Sequence, residues 1–103
     1  MLHIQNDQDG PQVGTVCSAL LVTGGEIIGH LHRVDKDQIW LKQVLSLRQL
    51  EDQMEVTDFM LSYQKDKPLA FNHIHVITLA QVTAQMAENY DAVLEEIQNK
   101  TGN

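Results

Sequence analysis

Gly24, Gly29, Leu31 and Asp35 stand at the spacing GxxxxGxLxxxD inside an otherwise strand-like stretch from Leu20 to Leu47. A glycine within a strand pattern marks a sharp bend or a close approach of two backbones, because the missing Cβ permits both. The apolar run Ala19 to Val22 leads into Gly24 and Gly25, where positive φ costs little, and a second strand begins at Glu26. The two turn glycines and Gly29 then bracket Glu26, Ile27 and Ile28. This pattern predicts a tightly bent hairpin.

A chain of 103 residues has room for one domain, and 43% hydrophobic content is ordinary for a globular protein. No apolar run approaches the roughly 20 residues of a membrane span, so no membrane partner is expected. Met1 to Gly14 carries no charged start followed by an apolar stretch, and nothing there reads as a secretory signal. The single cysteine, Cys17, lies among apolar strand residues and is expected to be a buried, inert thiol in a reducing cytoplasm. Seven basic residues stand against fourteen acids, a net charge of −7. That balance argues against a conventional phosphate-neutralising surface. Arg33, Lys36, Lys42, Arg48, Lys65 and Lys67 fall in the strand region, and such a surface requires them to share one face.

The pattern along the chain divides it into three parts. Residues 1–14, dominated by Gln, Asn, Asp, Gly and Pro, read as a flexible N-terminal arm. Strands are expected at Val16 to Val22, Glu26 to Val34, Gln38 to Leu47, Val56 to Tyr63 and Ala70 to Leu79. Arg48 to Glu55 reads as a long hairpin tip, with a short helical turn as the alternative. Five strands of this length suit a small, strongly bent barrel over residues 15–80. Residues 83–100 read as a C-terminal α-helix, with Met86, Tyr90, Val93 and Ile97 forming a narrow seam and Glu88, Asp91, Glu95 and Glu96 facing water. The seam either covers the chain's own barrel or packs against a neighbouring subunit.

Leu21, Gly24, Ile27, Ile28, Gly29, Leu31, Val34, Asp35 and Leu41 all fall where the first motif of the Sm/LSm family expects them. The chain resembles that family over Thr15 to Leu47, with a weaker second motif near Phe71 to Leu79, and its departures suit divergent members of marine phage type. The resemblance implies a mainly β fold, a five-stranded, strongly bent Sm-like β-barrel followed by the helix. It also implies a homo-oligomeric ring joined through strands 56–63 and 70–79. A closed ring leaves no sheet edge free, which removes the hazard of uncontrolled edge pairing.

The family's uridine pocket maps onto Asp35, Asp37, Ile39, Phe71 and Asn72. Asp35 matches the loop-shaping acid and Asn72 matches the second motif. Asp37 stands where a stacking aromatic or histidine is usual, Ile39 where an asparagine contacts the base, and Ala70 and Phe71 where Arg and Gly are usual. An exposed carboxylate offers no π face and repels phosphate, and an isoleucine neither donates nor accepts.

His30 with His32, and His73 with His75, form two HxH pairs. Alternate residues of a strand project to one side, so each pair could hold a zinc, nickel or iron ion. Gly24, His30, His32 and Asp37 also resemble the first cupin motif, although the second cupin motif is missing. No nucleophile elbow, phosphate-cradling loop or CxxC is present, so neither an enzyme nor a cofactor is expected. Trp40 is open to three readings: core, interface or half-covered surface. The expected function is a ring-forming, nucleic-acid-associated scaffold with weak or non-standard RNA binding. The alternatives are a protein-interaction ring that has lost RNA binding, and a metal-binding small barrel.

Overall fold

A computed structural model describes residues 10–59, 64 and 66–101. Residues 1–9, most of the expected arm, lie outside the described residues. The elements run β1 (Val16–Leu21), β2 (Glu26–Val34), β3 (Gln38–Leu50), β4 (Gln53–Asp58), β5 (Leu69–Asn72), a 3-10 turn (His73–His75), β6 (Val76–Gln81) and α1 (Ala84–Thr101). All strand pairs are antiparallel, in the order β4-β3-β2-β1-β6, with β5 paired to the first half of β3. The fold is therefore mainly β with one C-terminal helix.

Three expectations change. The fifth strand is two strands, because Asn72 turns the chain: its side chain accepts a hydrogen bond from the Ile74 backbone N–H at 3.1 Å and starts the 3-10 turn. β5 thus pairs with β3 while β6 crosses to β1. The sheet has six strands and does not close into a barrel, since β4 and β6 end the hydrogen-bonded path. The fourth strand begins at Gln53 rather than Val56, and the expected residues 60–63 lie outside the described residues. Arg48 to Glu55 is a hairpin tip, with Leu50 paired to Gln53 across a turn at Glu51, whose φ is +50°. Gly10 to Gly14 belongs to the described chain, and Gly14 donates its N–H to the Leu31 carbonyl at 2.8 Å.

The bend at Gly29 has a specific cause. The β2–β3 register shifts between Ile28 and His30, where Ile28 faces Leu45 but His30 faces Lys42, so β3 carries an extra residue. Gln43 takes up that bulge at φ +53°. A Cβ on Gly29 would stand 2.8 Å from the Lys42 carbonyl oxygen, so only glycine allows the two strands this close. The bulge also reverses the side-chain alternation of β3. Ile39, Leu41 and Val44 lie in one core with Cys17, Ala19, Ile27, Leu31, Val76 and Leu79, while Leu45 lies in a second core with Val16, Ile28, Tyr90 and Leu94.

The second core is where α1 lands. Thr83 begins the helix by accepting the Met86 N–H on its hydroxyl at 3.1 Å. Met86, Tyr90, Val93, Leu94 and Ile97 then pack on the chain's own sheet, against Val16, Ile28, Leu45, Leu47 and Val56. Tyr90 is fully buried, and burying such a ring contributes about 2–3 kcal/mol. Its hydroxyl donates to the Gln43 carbonyl at 2.5 Å and lies 3.4 Å from His30 Nδ1, with the two rings edge to face at 5.4 Å. The helix therefore holds the bulge from outside.

Two substitutions test this arrangement. Gly29→Ala is expected to lose about 1–3 kcal/mol in urea unfolding, because a backbone oxygen cannot move aside as a side chain would. Tyr90→Phe keeps the ring but leaves the Gln43 carbonyl without its donor, and is expected to lose about 1–2 kcal/mol. An unchanged midpoint in either variant would contradict the account of the bulge.

Candidate functional site

β2 and β3 are joined by a short turn in which the Asp35 N–H donates to the Gln38 carbonyl at 2.7 Å. A second register shift falls between Leu31 and Arg33, this time with the extra residue in β2. His32 is the residue it leaves without a cross-strand partner on β3, and Arg33 comes to stand directly opposite Trp40. The guanidinium carbon of Arg33 lies 4.9 Å from the centre of the Trp40 ring. Asp35 Oδ2 accepts from Arg33 at 2.6 Å and from Trp40 Nε1 at 2.9 Å. One carboxylate oxygen thus fixes both members of the stack.

These contacts set the charge states. Asp35 is held below the usual carboxylate range, chiefly by the Arg33 hydrogen bond, then by that from Trp40, with the His73 charge adding a smaller pull. Arg33 is raised for the same reason. The side chains of Arg33 and Asp35 remain 59% and 37% exposed, so the group sits at the surface and is open to a ligand.

The turn meets the second motif region directly. The His73 N–H donates to the Asp37 carbonyl at 2.9 Å, Gln38 pairs with Asn72, and Ile39 pairs with Phe71. The turn and the second motif region are therefore neighbours, but several of the five positions are taken up by the fold itself. Ile39 is fully buried in the core, and Phe71 is half-buried, packed on that core and tilted against Phe59 at 5.8 Å. The Asn72 side-chain oxygen is occupied as the cap of the 3-10 turn. Asp37 is exposed.

The histidine pairs do not keep the geometry that alternation implies. His73 and His75 lie in a 3-10 turn, not a strand, and with three residues per turn their side chains leave in different directions. His30 packs on Tyr90, while His32 is the extra residue of the bulge. Among the described residues no group of three or more His, Cys, Asp or Glu is placed to hold a metal ion. Cys17 is fully buried, and burial pushes its thiol above the ordinary value, partly offset by Thr15.

Arg33 and Lys36 flank the β2–β3 turn, whereas Arg48 lies eight residues beyond Trp40 along β3, roughly 25 Å at the usual rise. Arg48 is also within 4.0 Å of Glu55, its cross-strand partner. Lys65 lies outside the described residues. Glu88, Asp91, Glu95 and Glu96 are all exposed on α1. Among the described residues no helix is long and apolar enough to cross a membrane.

Sequence reasoning found the turn and Asp35 but missed the Arg33–Trp40 stack, which depends on a bulge that no residue type announces. No family model matches the chain, and no curated protein matches it.

The turn yields a pH signature, because Trp40 is the only tryptophan in the chain and reports Asp35 directly. With its folded pKa lowered, Asp35 contributes stability above its unfolded pKa of about 3.9 and loses it as pH falls through the lower folded value. Trp40 emission is expected to hold steady down to about pH 4 and to change only below it. Asp35→Asn is expected to abolish that step, and a midpoint above about 4 would contradict the hydrogen bonds assigned here.

Proposed function

We propose that this chain is an Sm-like, ring-forming scaffold that associates with nucleic acid through contacts other than the family's uridine pocket. The observation that carries the ring is the pair of open edges: β4 and β6 stand at opposite ends of the sheet, and each pairs on one side only among the described residues. Antiparallel pairing of β4 from one subunit with β6 of the next consumes both edges and, repeated around a closed ring, leaves none exposed. Met54 on β4 and Ile77 on β6 are exposed apolar residues, at 51% and 54%. The resemblance assigns subunit contact to strands 56–63 and 70–79; β4 overlaps the first at Val56–Asp58 and β6 overlaps the second at Val76–Leu79, while residues 60–63 lie outside the described residues.

The core positions of Ile39 and Phe71 speak against uridine recognition of the usual kind. They equally favour a second reading, a protein-interaction ring without RNA, and the exposed carboxylates of α1 add to it. The two readings share the ring and differ in the ligand.

Light scattering on the purified protein separates them. An oligomer of fixed mass is expected, and Ile77→Lys, a change at an exposed site that leaves the subunit core untouched, is expected to reduce it to the monomer. A wild-type monomer, or an Ile77→Lys variant with unchanged mass, would overturn the edge-paired ring. Added oligonucleotide that increases the mass supports the first reading, and one that leaves it unchanged supports the second.

A further inference from the structure

We propose that the outer face of the Arg33 guanidinium is a stacking site for the bases of single-stranded nucleic acid. The proposal rests on the nucleic-acid half of the reading above and gives it a specific contact. A guanidinium is planar, and its two faces are equivalent until one is covered. Here the guanidinium carbon lies over the Trp40 ring, 4.9 Å from its centre, and the side chain as a whole is still 59% exposed.

Orientation is settled before any ligand arrives. Asp35 ties the edge of the guanidinium at 2.6 Å and is itself tied to the indole at 2.9 Å. A flexible surface arginine must lose rotamer freedom on binding, whereas this one has already lost it in the fold. The result is a flat, fixed platform next to an exposed turn. Nucleobases stack on arginine planes as they do on aromatic rings.

The surrounding charges select the base over the backbone. Asp35 neutralises Arg33, and exposed Asp37 two residues further on repels phosphate. A strand therefore approaches base first, with its phosphates held outward. Stacking strength then sets the preference, so purines bind better than pyrimidines, and dependence on salt is shallow because few counterions are released. This differs from uridine recognition, which reads hydrogen-bonding edges.

The sole tryptophan makes the site directly observable. Oligoadenylate and oligouridylate are titrated into the full-length protein while Trp40 emission is followed, with light scattering on the same samples. A saturable change is expected, tighter for oligoadenylate and little affected by moderate salt. Arg33→Lys keeps the charge and removes the plane, and is expected to weaken binding about tenfold. Lys36→Ala is expected to stay within about twofold. No saturable change in the wild type, or equal binding by Arg33→Lys, overturns the stacking site. A ring whose Trp40 emission ignores both oligonucleotides removes the site and leaves the ring standing. A monomer whose emission still responds through Arg33 removes the ring and leaves the site.

Discussion

The approach of β2 to β3 at Gly29 is the constraint on which the rest of the molecule depends. With a Cβ position only 2.8 Å from the Lys42 carbonyl, the two strands meet there more closely than any other residue allows, and the extra residue of β3 is displaced into Gln43. A non-glycine residue at φ +53° costs on the order of 1 kcal/mol. Tyr90 offsets it, donating to the Gln43 carbonyl from a fully buried ring. The bulge in turn decides which face of β3 each apolar residue serves. Without the reversal at Gln43, Leu45 and Leu47 would point into the same core as Ile39 and Leu41, and α1 would have no apolar floor to cover.

A second irregularity, three residues along β2 from the first, builds the surface group. The shift at His32 turns Arg33 to face Trp40, and Asp35 then holds the pair. One bulge organises the interior and the other organises the surface. Both consume positions that read as regular strand. That is also why the HxH spacing of His30 and His32 loses its meaning, since His32 is itself the extra residue of a bulge and alternation by two fails there.

Charge divides the molecule in a way that bears on its partners. The exposed side of α1 carries carboxylates, while the two cations Arg33 and Lys36 flank the β2–β3 turn. Arg33 is neutralised by Asp35, so the turn is not a cationic patch. What it presents is a guanidinium held over an indole ring and tied by one carboxylate. β4 and β6 end the sheet, and among the described residues each pairs with one neighbouring strand only.

The amino-acid pattern by itself determined the order and type of most elements. β2 begins and ends where the alternating residues do, β3 begins at Gln38 as expected, and α1 follows Thr83 with the seam Met86, Tyr90, Val93 and Ile97 on its buried side. Local signals suffice for these because alternation, turn glycines and helix caps act within a few residues. Tertiary structure alone decided the two bulges, the break of the last strand at Asn72, the open sheet, the burial of Ile39 and the stack of Arg33 on Trp40. Each of these depends on which backbone atoms of distant segments meet, Gly29 with Lys42 or Tyr90 with Gln43. A residue's type records its own preferences, whereas register is a property of two strands together.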